Sequence, residues 1–171
     1  ACPHASLPHV TACCADDAAI LALSISRSIA SGYMTGDVAC WDVAYGAAEE
    51  ILGLQEGAAL VGAITSVVRA IRCERQGDWS FMPATCCRLT PDEQDLVAAF
   101  ACGRRQDAGG VAARAARLAR CPSAPRLSRA IMHAALTIER AKDSIRMPAR
   151  DRRPAGAPGG ASASRSHRTR R

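Results

Sequence analysis

Five side chains able to hold a metal fall within the first fourteen residues: Cys2, His4, His9, Cys13 and Cys14. Thiolate and imidazole are ligands suited to Zn²⁺ or Cu(I). Their order, C-x-H-x4-H-x3-C-C, departs from the paired C-x2-C and H-x3-H spacings of structural zinc sites. A zinc centre therefore requires the fold to close the ligand set, and a chain terminus that happens to carry Cys and His is the bland alternative. A second thiol pair, Cys86-Cys87, precedes a helix start at Thr90. Vicinal thiols can bind a thiophilic ion or form a strained, redox-active bridge if one is exposed and held as thiolate. Arg88 and the helix start place positive potential beside Cys87. Two small residues in a loop explain the pair equally well, because no C-x-x-C spacing is present.

Arginines are the other residues with chemical potential. The stretch Val111–Arg120, a turn over 120–124 and a helix from Pro125 onward read as a helix-turn-helix. In that reading Arg126 and Arg129 sit at the start of a recognition helix. Arg114, Arg117 and Arg120 add phosphate contacts from the preceding helix. Against it, the turn carries Pro122 and lacks glycine.

Assembled catalytic motifs are missing: no G-x-S-x-G elbow, no phosphate loop ending in Gly-Lys-Ser/Thr, no G-x-G-x-x-G after a strand, no H-E-x-x-H. The acidic pairs Asp16-Asp17, Glu49-Glu50 and Asp92-Glu93 fall at helix starts or on helix faces, where solvation and the helix dipole account for them. The chain is expected not to be an enzyme and to need no cofactor, zinc being the exception if the cysteine–histidine cluster closes.

The elements that would position these residues are helical. A 171-residue chain is long enough for one domain with a core plus a tail. Its aromatic content, 4%, is low, and alanine supplies much of the apolar fraction, which favours close helix packing. Apolar residues recur at helical spacing over six stretches: Asp16–Ser31, Asp37–Leu52, Gln55–Glu74, Thr90–Arg105, Val111–Arg120 and Pro125–Arg146. Leu21, Ile25 and Ile29 stripe the first, which is expected to end at Gly32. Val38, Trp41, Tyr45, Ala48 and Leu52 stripe the second. Thr90, Pro91 and Glu93 form a capping box at the fourth, with Trp79, Phe81 and Met82 plugging the core just before it. Leu127, Ile131, Ala134, Ile138, Ala141 and Ile145 make a seam on the last helix, fit to pack within the chain or against another.

These stretches predict an all-α fold: a single compact bundle or orthogonal array of about six helices. An irregular segment over 1–14 precedes a helical domain over 15–147, and an Arg-rich tail over 148–171 is expected to be disordered. Charge is unevenly placed. Residues 1–100 carry 5 Arg against 12 Asp and Glu, a net −7; residues 101–171 carry 17 Lys and Arg against 4 acids, a net +13. Nine cysteines, an odd number, several of them among helical apolar residues, point to a reducing cytoplasm rather than a disulfide framework. The longest uncharged apolar run, Gly57–Val68, is too short to span a bilayer, so no membrane partner is expected.

The leading functional expectation is a small cytoplasmic interaction or regulatory protein that docks a protein partner or its own copy. The docking surface is the seam of the last helix or the acidic half. The alternatives are nucleic-acid binding by the basic helices 111–146 and the tail, and metal or thiol-redox sensing by the cysteines.

Overall fold

The structure, a computed structural model, describes residues 5–146, excluding the Arg146 side chain. The ligand positions Cys2 and His4 and the tail 148–171 lie outside the described residues. Among the described residues seven helices run in chain order: α1 (Val10–Cys13), α2 (Asp17–Thr35), α3 (Ala39–Leu52), α4 (Leu54–Glu74), α5 (Pro91–Arg104), α6 (Ala108–Ala119) and α7 (Pro125–Arg146). No strand occurs among the described residues; one isolated antiparallel bridge joins His9 to Arg88. The all-α bundle is as expected, with a single turn, α1, added inside the segment expected to be irregular.

Local chemistry sets most of the ends. Asp16 caps α2 by accepting from the Ala19 N–H at 3.0 Å. At α5 the whole capping box forms: the Glu93 N–H donates to Thr90 Oγ1 at 3.1 Å, and the Thr90 N–H donates to Glu93 Oε2 at 2.9 Å. Asp107 caps α6 through Gly110, which draws the expected turn 107–110 into the helix. The start of α7 is capped from elsewhere in the chain. Glu74, the last residue of α4, accepts from the Arg126 and Leu127 N–H groups at 3.0 and 2.8 Å.

Gly32 does not end α2, contrary to expectation; the helix continues to Thr35, and Gly36, with φ 73°, closes it. Gly32 serves packing instead, since a Cβ there would lie 2.6 Å from Trp41 Nε1. Gly57 acts similarly on α4, where a Cβ would fall 2.7 Å from the Glu49 backbone nitrogen. Small residues thus let α3 lie directly on its two neighbours.

Helix α4 sits at the centre, packed chiefly on α7, α3 and α2. Its Leu60, Val61, Ile64, Val67, Val68 and Ile71 are buried. At 21 residues it is long and apolar enough to cross a membrane by length and composition, and half of its most apolar window is buried against other helices. The α7 seam is also internal: Leu127, Ile131, Ala134 and Ile138 are fully buried against α4, α5, α6 and α2. At these residues the seam is covered by the chain's own helices. A smaller core joins Val10 and Cys14 to Leu23, Leu89 and Val97, fastening the N-terminal segment to α2 and α5.

Candidate functional site

The loop between α4 and α5 is organised by one buried ion pair. Arg27, near the middle of α2, is 3% exposed, and Glu93 is fully buried. Every guanidinium donor of Arg27 is used. Nε donates to Glu93 Oε1 at 2.6 Å, and Nη2 donates to Glu93 Oε2 and the Arg88 carbonyl. Nη1 donates to the Cys86 and Pro83 carbonyls. Glu93 also accepts from the Met82 N–H at 3.1 Å. One guanidinium thus holds three loop carbonyls and the carboxylate that completes the α5 cap. Sequence reading found the cap and missed its partner. The available signal was that Arg27 is the only Lys or Arg in residues 1–68. A lone cation among Ile25, Ser26, Ser28 and Ile29 needs a buried partner.

The same loop brings the two thiol-bearing segments together. The Val10 N–H donates to the Cys87 carbonyl at 2.8 Å, the Leu89 N–H donates to the Pro8 carbonyl at 3.0 Å, and Arg88 Nη1 donates to the Leu7 carbonyl. His9 caps the single turn α1, with Nδ1 2.8 Å from Thr11 Oγ1. Cys13 is half-buried, Cys14 buried, Cys86 half-buried and Cys87 exposed, and all are free thiols. Burial, reinforced by neighbouring Cys13, pushes the Cys14 thiol up to about 11. Among the described residues no group of three or more His, Cys, Asp or Glu is placed to hold a metal. His9, Cys13 and Cys14 are brought beside the Cys86-Cys87 loop by backbone pairing, without forming such a group.

The arginines divide into two sets. On α6, Arg114 and Arg117 contact the Asp95 carboxylate at 2.7 and 3.1 Å. Arg120 lies 4.0 Å from Asp92, with backbone in the left-handed region at φ 51°. Three of the five arginines of the helix-turn-helix reading therefore face carboxylates of α5. The start of the would-be recognition helix is occupied by the Glu74 carboxylate, where a phosphate would otherwise sit. Arg126 and Arg129, by contrast, are exposed on α7 and, among the described residues, paired with no carboxylate. They share that state with Arg140 on α7 and Arg69 on α4, neither of which sequence reading singled out.

The end of α2, α3 and the start of α4 carry an acidic, apolar surface. Residues 28–68 contain five acids and no Lys, Arg or His. Six of the seven large exposed apolar side chains fall within this stretch: Met34, Val38, Val43, Tyr45, Ile51 and Leu54. The expected α3 stripe holds for Trp41, Ala48 and Leu52 and not for Val38 and Tyr45. Ala44, Ala48 and Leu52 face the core with Trp41, whereas Val38 is 70% exposed and Tyr45 37%. Val43, at 59%, and Leu54, at 71%, lie on the outer side. Beside Met34 opens a cleft of about 300 Å³ lined also by Tyr33, Arg72, Trp79 and Phe81. The Arg72 guanidinium lies 4.3 Å over the Tyr33 ring.

No protein-family model matches this sequence, and comparison with curated proteins and with solved structures finds no match.

Proposed function

We propose that this chain works by binding a protein partner, without catalysis of its own, through the acidic and apolar side made by the end of α2, α3 and the start of α4. The observation that carries this reading is the concentration of exposed large apolar residues in a 41-residue stretch devoid of cations. Scattered exposed apolar side chains are ordinary, but a concentration of them on one side marks an interaction surface. Asp37, Asp42, Glu50 and Glu56 are exposed around it. Charge complementarity then names the occupant: a basic amphipathic helix whose apolar face meets Val43 and Leu54 while its cations meet the acids.

A helical peptide of alternating Leu and Lys faces, titrated into the full chain, tests this. Saturable binding is expected. Val43→Ser with Leu54→Ser should weaken it at least about tenfold, the effect of losing ~1.4 kcal/mol of apolar contact. Both positions are exposed, so the variant's helical content should match the parent. The reading fails if the variant binds as tightly as the parent, or if a peptide of equal charge with scrambled, non-amphipathic order binds equally well.

A further inference from the structure

We propose that the groove between α4 and α7 binds the phosphate backbone of nucleic acid, on a face other than the helix-turn-helix suggested by the sequence. On α7, Arg126, Arg129, His133, Thr137 and Arg140 follow one another by 3, 4, 4 and 3 residues and share one face. The buried seam residues Leu127, Ile131, Ala134 and Ile138 occupy the opposite face. Across the groove, Arg69 of α4 lines a hollow of about 360 Å³ together with Arg126. His133, Thr137 and Arg140 line the next hollow, of about 470 Å³, with Ala59 and Gly62 of α4.

Two properties mark this row. Among the described residues, Arg27, Arg75, Arg104, Arg114, Arg117 and Arg120 contact a carboxylate, Arg72 lies over the Tyr33 ring, Arg88 donates to the Leu7 carbonyl and Arg105 to Cys102 Sγ, whereas the side chains of Arg69, Arg126, Arg129 and Arg140 make none of these contacts. Their charge is therefore available to an external anion. The floor of the groove is also small and open: Ala59, Gly62, Ala63 and Ser66 leave room, and a Cβ at Gly62 would meet nothing within 4 Å. Of the two hollows, the one with Arg140 is also lined by Glu56, and the one with Arg69 and Arg126 is lined by no acid. Glu74 caps α7 beside Arg126, Glu56 hydrogen-bonds Ser144, and Asp143 lies beyond Arg140. Glu139 is turned away to Arg104.

The row also has the right length. From Arg126 to Arg140, fourteen residues rise about 21 Å, which matches about six nucleotides of one strand of a duplex. Helix α7 leads directly into residues 148–171, whose sequence holds seven Arg and one Asp. Arginine at phosphates positions the protein without reading sequence, so binding is expected to be indifferent to base order.

The test is fluorescence anisotropy of the full chain with a labelled DNA duplex of about 16 base pairs, followed as salt rises from about 50 mM. The slope of log K against log salt should shrink by about 0.9 for each groove arginine changed to Gln. The quadruple variant Arg69→Gln, Arg126→Gln, Arg129→Gln, Arg140→Gln should lose about three to four in slope and more than tenfold in affinity at the lowest salt. Arg114→Gln with Arg117→Gln should change neither. Single Arg69→Gln and Arg140→Gln variants, each lowering the slope by about one, keep the test valid if the quadruple variant folds poorly. Duplex RNA and single-stranded DNA of equal length identify which backbone is preferred. Absence of binding at low salt, a quadruple variant that binds like the parent, or anionic lipid vesicles bound as tightly with the same arginine dependence would each overturn the proposal.

Discussion

Arg27 shows how one side chain can organise a loop. It reaches from α2 into the segment before α5 and satisfies carbonyls of Pro83, Cys86 and Arg88 together with Glu93. Removing one member of a buried pair leaves the other charge uncompensated, at a cost of about 3–5 kcal/mol. Arg27→Met should lower the unfolding free energy by about that amount in urea titration, and a loss under about 1 kcal/mol would show the pair to be solvated. The cysteines make a second prediction at this scale. Cys14 and Cys102 are buried and Cys73 and Cys87 exposed. Among the described cysteines, iodoacetamide at neutral pH should label Cys73 and Cys87 first, with Cys14 and Cys102 protected until the chain unfolds. Peptide mass mapping reads the order directly.

Among the elements, the α5 cap was legible in the sequence down to its atoms, because a capping box is local: Thr90, Pro91 and Glu93 lie within four residues. Thr90 is buried and its hydroxyl also donates to the Ser80 carbonyl at 2.8 Å. Thr90→Ala should cost about 1–2 kcal/mol, measured by thermal or urea unfolding, and an unchanged midpoint would refute the role of the cap. The face that α3 turns inward was legible only in part. Of the apolar stripe, Trp41, Ala48 and Leu52 face the core, but Ala44 is buried where Val38 and Tyr45 were expected. The deciding property is size: α3 lies so close to α4 that Gly57 has no room for a Cβ against the α3 backbone. Gly32 was misread for a similar reason. A helix-ending residue and a close-packing residue look alike until the neighbour, here Trp41, is in place.

For the molecule as a whole, Arg104 of α5 joins three helices by pairing with Asp16, the N-cap of α2, and Glu139 of α7, each at 2.6 Å. Its hydrogen bonds hold both carboxyls below their usual ranges. A carboxyl with a depressed folded-state pKa contributes stability above its unfolded value and loses it as pH falls through the folded one. Stability should therefore decline as pH drops below about 4, near where free Asp and Glu titrate, and Arg104→Met should flatten that decline. Urea midpoints at pH 7 and pH 3 for both proteins check this, and equal acid sensitivity in the variant would remove Arg104 from the account. The charge asymmetry acts at the same scale. The exposed acids of the cation-free stretch 28–68 lie just before α3, on it and at the start of α4, while Arg69, Arg126 and Arg140, without a carboxylate partner among the described residues, flank the groove between α4 and α7.

What the amino-acid order determined by itself is everything carried by near neighbours. That covers helix content, most helix ends, the α7 seam and the basic balance of the second half. Periodicity and capping act over a few residues, so they can be read directly from the order of side chains. What only the tertiary structure decided is which charges are consumed and which remain available. Arg114 and Arg117 looked as free as Arg126 in sequence, but Asp95 lies across from them when α5 meets α6. Arg27 found Glu93 across 66 positions of chain. Ion pairing and desolvation depend on distances of a few ångströms between residues far apart in sequence, and only packing sets those distances.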